Sequence, residues 1–251
     1  MSIDIVISPN DQDDITELLQ HKLNELVQNH GGRLLIASSG EFFVKKTITI
    51  PVRQEPPREI SIIFEGIGSG VCSIRGQGLS SSEPVFQWDD DSTGSSIVAN
   101  FIWRGMTVRH NGGGTTIQHK SAAGRRFKNC TFENLILLKT GSGDGSQPIL
   151  DIEGVLHSTF RDIELRGLNE GESGLRIRGS HAFLENIYAS QKSRAPSQFL
   201  DFSCGNSRIC HLRTEGGNSA TADYWIHDCQ TVDIQNVHSE GMRPVRPSRK
   251  D

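Results

Sequence analysis

The feature that most constrains this chain is a strand pattern that recurs through its second half. Six segments carry it: 103–108 (WRGMTV), 132–137 (FENLIL), 160–165 (FRDIEL), 184–189 (LENIYA), 209–214 (ICHLRT) and 234–239 (IQNVHS). Their starts are separated by 29, 28, 24, 25 and 25 residues. A second series, 150–154 (LDIEG), 175–179 (LRIRG), 200–204 (LDFSC) and 225–229 (WIHDC), returns every 25 residues. Alternation within each run sends every second side chain inward, as a strand requires. The third position of the first series is Gly105, Asn134, Asp162, Asn186, His211 and Asn236. Gly, Asn and Asp tolerate left-handed backbone best, so each position marks a bend between two strands, and the apolar phase shifts across it. Strand, corner, strand, loop and strand in about 25 residues make one coil of a solenoid, which is stable only when stacked on its neighbours.

The fold class expected is therefore all-β, a right-handed parallel β-helix with an N-terminal amphipathic capping helix. A leucine-rich repeat has a comparable period, but its fixed Asn pattern and clustered leucines are missing. A β-sandwich shows turn signals without this in-register identity of role. The 35% hydrophobic and 22% charged content of the 251 residues suits a buried core in a soluble chain. With 26 Gly and only 9 Pro, tight corners fit better than flexible linkers. A net charge of −4 supplies no general drive toward nucleic acid. No apolar stretch approaches the roughly 20 residues that span a bilayer, so no membrane partner is expected. Residues 1–9 lack a basic region followed by a long apolar run, so no secretory signal peptide is read in this chain. Five cysteines, none in a CxxC, argue against a disulfide framework or a zinc site.

Residues 13–29 (DDITELLQHKLNELVQN) read as the clearest helix. Ile15, Leu18, Leu19, Leu23, Leu26 and Val27 share one face, and Asp13 or Asp14 caps the start. Gly31-Gly32 ends it, and two strands follow around Ser38-Ser39-Gly40. This opening, with 65–70 (EGIGSG) and 72–78 (CSIRGQG), resembles the pectate-lyase-like superfamily of right-handed β-helices, which includes polysaccharide lyases, glycoside hydrolases and phage tailspikes. The usual proline before the glycine turn is Ser38-Ser39 here. The resemblance implies one domain: 1–58 as cap helix and first strands, 59–241 as coils, and 242–251 as a basic tail. It also implies a polysaccharide or oligosaccharide partner. The uncovered apolar end of the last coil leads to the expectation of a homo-oligomer such as a trimer, another partner or further sequence to cover it. The paired aspartates of polygalacturonases, the Arg-x-Pro-x-x-Arg of pectate lyases and the Asp-Pro-His-Glu of alginate epimerases are not evident, and fold alone does not settle function.

Neighbouring coils lie about 4.8 Å apart, so residues one period apart stack as ladders. In the second series the outward ladder runs Asp151, Arg176, Asp201, Ile226, with Glu153, Arg178, Ser203, Asp228 beside it. Its plainest reading is a row of surface ion pairs. The functional reading is a polar groove on the face that carries the sugar cleft in related enzymes, with arginines gripping uronate carboxylates. The first series gives Glu164, Tyr188, Arg213, His238 and, beside it, Arg166, Ser190, Glu215, Glu240. Two carboxylates about 5 Å apart fit a retaining glycosidase, and their repulsion raises one pKa. The plainer reading is two solvated acids before glycine turns.

Glu215 and Glu240 are thus the expected acid and its partner, with Asp201 as a third carboxylate. Arg176, Arg178, Arg213, Tyr188 and His238 are the expected substrate contacts. Cys204, Cys229 and His227 have inward parity and are expected in the core. The nine histidines show no recurring metal spacing, so neither metal nor other cofactor is expected. Asp89-Asp90-Asp91 reads as an exposed acidic turn, and 111–114 and 141–145 as long loops. A carbohydrate-binding, glycan-cleaving β-helix is the first functional expectation. A non-catalytic assembly solenoid is the alternative, because after Ser239 no capping element covers the last coil.

Overall fold

The computed structural model describes residues 3–50, 61–88, 97–120, 126–141, 147–168, 173–191, 198–215 and 224–240. The acidic run at 89–91, most of the 141–145 loop and the 242–251 tail lie outside the described residues. In chain order the elements are β1 (Ile3–Ile7), α1 (Thr16–Gln28), β2 (Gly31–Ile36), β3 (Gly40–Val44), β4 (Ile48–Ile50) and β5 (Ser61–Gly66). Then come β6 (Cys72–Gly76), β7 (Phe86–Trp88), β8 (Ile97–Ala99), β9 (Phe101–His110), β10 (Ile117–His119), β11 (Arg126–Lys128) and β12 (Thr131–Lys139). The last six are β13 (Leu150–Leu168), β14 (Ser173–Gln191), β15 (Gln198–Gly205), β16 (Ser207–Glu215), β17 (Tyr224–Ile226) and β18 (Val232–Glu240).

These strands pair in parallel, each with the strand one coil away, and wind into about six turns of solenoid. The first series stacks Trp103 on Phe132, Phe132 on Phe160, Phe160 on Leu184, Leu184 on Ile209 and Ile209 on Ile234. All but the last are fully buried. The Phe132 and Phe160 rings stack 5.1 Å apart and 3° from coplanar. The corner residues adopt the left-handed backbone that their types favour: φ is 70° at Gly105, 51° at Asn134, 52° at Asp162, 53° at Asn186, 55° at His211 and 53° at Asn236. A second left-handed ladder, unforeseen in the sequence, runs through Asn100, Asn129, His157, His181 and Asn206. It turns the third strand face back into the first.

The N-terminal end is closed by α1, which packs against β2 and β4. The helix starts at Thr16, three residues later than its pattern predicts. Asp14 stays outside and accepts hydrogen bonds from Thr16 N (3.1 Å) and Thr16 Oγ1 (2.6 Å). Leu19, Leu23 and Leu26 are buried, whereas Leu18, expected on the same face, is exposed. Gln20 seals the end coil's backbone: its Nε2 donates to Thr49 O (2.7 Å) and its Oε1 accepts from Thr49 N (2.9 Å). Before the helix, β1 adds a strand on β2 that the sequence reading did not include. No helix among the described residues is long and apolar enough to cross a membrane.

Candidate functional site

The second series forms the third strand face, from β10 through β13, β14 and β15 to β17. Here Asp151 stacks on Arg176 and Arg176 on Asp201, as expected. The row is not a solvated surface, however. Asp151 is 1% exposed and Asp201 2%. Arg176 spans both: its Nε donates to Asp201 Oδ2 (3.1 Å), and its Nη1 lies 3.6 Å from Asp151 Oδ2. Arg178 reaches Asp201 Oδ2 (3.5 Å) and Glu153 Oε1 (3.6 Å). A carboxylate this dry is tolerable only with such partners.

The last coil departs from the expected register. Leu200 pairs with Tyr224, Asp201 with Trp225 and Phe202 with Ile226, a step of 24 residues instead of 25. A one-residue slip exchanges the two faces of a strand. Ile226 therefore packs against the core rather than continuing the polar ladder. His227, expected inward, instead meets the ladder: its Nε2 lies 3.0 Å from Asp201 Oδ1 and its Nδ1 2.8 Å from Asp228 Oδ2. Partial burial opposes charge on this ring, but the hydrogen bonds to Asp228 and Asp201 outweigh it and raise its pKa. Cys204 is in the core as expected, and Cys229 packs against it half-buried.

Asp151 differs from Asp201 in one decisive respect. Its Oδ1 is buried and has no hydrogen-bond partner among the described residues, and Arg178 Nε is orphaned in the same way. Burial pushes the Asp151 carboxyl above the usual range, against the pull of Arg176. The same face thus holds a buried carboxyl with a raised pKa and an unpartnered oxygen, two guanidinium groups and an imidazole held between two carboxylates.

The other ladder also has its predicted register: Glu164 on Tyr188, Tyr188 on Arg213, Arg213 on His238, and Ser190 on Glu215, Glu215 on Glu240. Tyr188 donates its hydroxyl to Glu215 Oε2 at 2.6 Å, which holds the phenol proton and raises its pKa. Arg213 pairs with Glu215 Oε1, and Arg166 Nη2 donates to Glu164 Oε2 (2.7 Å). The side chain of Glu240 lies outside the described residues, so only its backbone position is placed beside Glu215. Asp201, Arg176 and Arg178 thus form one group on the third strand face, while Glu215, Arg213, Tyr188 and His238 stand on the second. His227 and Asp151 are the members that sequence reasoning did not select. The signal for Asp151 was its place at the head of the ladder.

No protein-family model matches the chain, and neither does any curated protein sequence. Solved structures do. The A-module of the mannuronan C-5 epimerase AlgE6 from Azotobacter vinelandii superposes with a TM-score of 0.51 at 13% identity, covering 93% of this chain and 69% of that one. A Parabacteroides merdae protein predicted to be a glycosyl hydrolase gives 0.49 at 9% identity, covering 97% and 100%. At 13% identity the likeness to the AlgE6 module speaks for architecture alone, and it agrees with the strand pairing: this chain is a right-handed parallel β-helix with a capped N-terminal end.

Proposed function

We propose that the chain binds and cleaves an acidic polysaccharide along its third strand face. The observation that carries this reading is the pair of partly exposed guanidinium groups, Arg176 and Arg178, held in one row by the buried carboxylates of Asp151 and Asp201. Guanidinium groups fixed in a row and open to solvent are what a ligand's carboxylate groups pair with. A polymer lying along the solenoid axis meets an equivalent position every ~4.8 Å, so a row of stacked charges suits a repeating chain of sugar acids. Arg176 and Arg178 hold uronate carboxylates. His227, whose pKa the hydrogen bonds to Asp228 and Asp201 raise, donates to the glycosidic oxygen, while Asp151, buried beneath Arg176, holds that guanidinium in place. Asp201 contacts Arg176, Arg178 and His227 at once, and so serves as a positioning carboxylate. The glycan-acting proteins among the structural neighbours are consistent with this reading.

The test is a panel of acidic and neutral polysaccharides, following both new reducing ends and unsaturated-uronate absorbance. Cleavage of an acidic glycan that falls at least about tenfold in His227→Gln supports the proposal. Cleavage unaffected by His227→Gln refutes the assignment.

The register of Glu215 on Glu240 favours a second reading, in which these two are acid and nucleophile of a retaining hydrolase, with Tyr188, Arg213 and His238 on the sugar. Glu215→Gln and Glu240→Gln discriminate it, since the first reading leaves both variants active. An assembly role rests on the exposed Ile234 and Val237 of β18. It predicts a homo-oligomer, such as a trimer, that Val237→Lys dissociates, as read by light scattering.

A further inference from the structure

A different ladder carries charge along the first strand face. Register places Glu65 on Arg104, Arg104 on Glu133, Glu133 on Arg161, Arg161 on Glu185, Glu185 on Cys210 and Cys210 on Gln235. Each earlier carboxylate is flanked by cations on both sides. Glu65 lies between Arg33 and Arg104, whose Nη2 is 2.6 Å from Oε2. Glu133 lies between Arg104 and Arg161, whose Nε donates to Oε2 at 2.8 Å. Glu185 breaks the pattern. The Arg161 guanidinium is turned toward Glu133, and Arg208 is turned the other way, toward Asp233 (3.5 Å) and Gln235 (3.3 Å). Where the alternation calls for the next cation stands a thiol, Cys210, followed at the left-handed corner by His211.

The corner residue is itself informative. Asn and Asp occupy this corner at 134, 162, 186 and 236, for the backbone reason already given; only here is the position an imidazole. Donor atoms of Glu185, Cys210 and His211 all lie within 4.8 Å of one another. Glu185 is half-buried, Cys210 is buried at 3% exposure and His211 is exposed, so the group opens to solvent on one side. The Asn236 amide, one coil on, lies 3.1 Å from His211 Nε2; with its oxygen turned to that nitrogen, Nε2–H donates to it and Nδ1 is left for a metal. Carboxylate, thiolate and imidazole on a rigid sheet corner form a donor set for a borderline divalent ion such as Zn²⁺.

We propose that Glu185, Cys210 and His211 bind one Zn²⁺ ion, with water in the remaining position. The ion supplies the positive charge that the ladder lacks on the Cys210 side of Glu185. Binding displaces the Cys210 thiol proton to solvent and leaves the metal's oxidation state unchanged. The site stands on the first strand face and the proposed glycan row on the third, so it binds metal whether or not that reading holds.

The test uses the full chain, stripped with a chelator, desalted and titrated with Co²⁺ as a spectroscopic stand-in, then with Zn²⁺ in competition. One equivalent of Co²⁺ should give a near-ultraviolet thiolate-to-cobalt charge-transfer band that Zn²⁺ removes. Cys210→Ser should abolish the band, while Cys229→Ser leaves it intact. His211→Asn is the fold-preserving variant, because it restores the residue type found at the neighbouring corners. It should weaken binding at least about tenfold, as should Glu185→Gln. Absence of the band overturns the proposal. So does a band that survives Cys210→Ser, one that is lost in Cys229→Ser, or unchanged affinity in His211→Asn.

Discussion

Asp201→Asn is the most informative single perturbation, because it keeps shape and removes one charge from the centre of the polar row. The Asp201 carboxylate side chain is 3% exposed, and it faces Arg176, Arg178 and His227 at 3.1, 3.5 and 3.0 Å. Breaking a buried ion pair by removing one partner costs about 3–5 kcal/mol, whereas an exposed pair is worth about 0–1 kcal/mol. The partners here are not fully buried: Arg176 is 24% exposed, Arg178 43% and His227 19%. Water reaches them, and the carboxamide of Asn keeps one acceptor oxygen. The expected loss is therefore between the two limits, about 2–3 kcal/mol. For a chain of this size, that lowers Tm by roughly 4–12 °C.

A second observable separates electrostatics from simple loss of packing. The hydrogen bonds to Asp228 and Asp201 raise the His227 pKa against burial. A raised folded-state pKa means that these contacts stabilise the fold fully below the unfolded histidine value of about 6.5 and lose that contribution as pH rises through the folded value. In Asp201→Asn the His227 pKa should fall, and the part of the stability that declines across that window should shrink. Thermal unfolding followed by circular dichroism across pH, with an NMR titration of the histidine ring, reads both. A Tm within about 1 °C of wild type, together with an unmoved His227 titration, would refute the claim that Asp201 organises this row.

Asp151→Asn should behave oppositely in stability. Its folded pKa is raised by burial, so the stability tied to its protonated form is present below the unfolded carboxylate range and declines as pH rises through the folded value. The variant should match wild type in acid and unfold at a higher temperature above neutrality; a lower Tm there contradicts the assignment. At the corner, Asn186→Ala should cost about 1–2 kcal/mol more than Asn186→Gly in urea unfolding, because Asn186 holds φ at 53°. Equal losses in the two variants would locate the Asn186 contribution in its hydrogen bond to Asp162 (2.6 Å) instead. In the core, Phe160→Ala should cost about 3–5 kcal/mol, since the ring is fully buried against Phe132. A loss below about 1 kcal/mol would mean that the neighbouring coils collapse to fill the space.

The architecture was legible because each coil repeats its own local instructions. Leu184, Ile187 and Ala189 face inward, Asn186 turns the chain, and the same roles return at Ile209, Leu212, Thr214 and His211. Two things escaped. The second corner ladder mixes Asn with His157 and His181, and a histidine in a strand-like run gives no turn signal. Cys204 and Cys229 stand 25 residues apart in the sequence, yet β17 pairs with β15 at a step of 24. Nothing in WIHDC distinguishes the two registers, and the slip sends His227 from the core to Asp201. The character of the polar row was hidden for a related reason. An aspartate at an outward position looks the same in sequence whether water or an arginine from the next coil covers it. Asp151 and Asp201 are dry because Arg176 lies across both, a cover made by residues a full period away. A ladder read from sequence therefore gives adjacency but not depth. Depth is what separates a solvated ion pair from a carboxyl whose pKa burial raises, so the chemistry of this face became visible only once the coils were stacked.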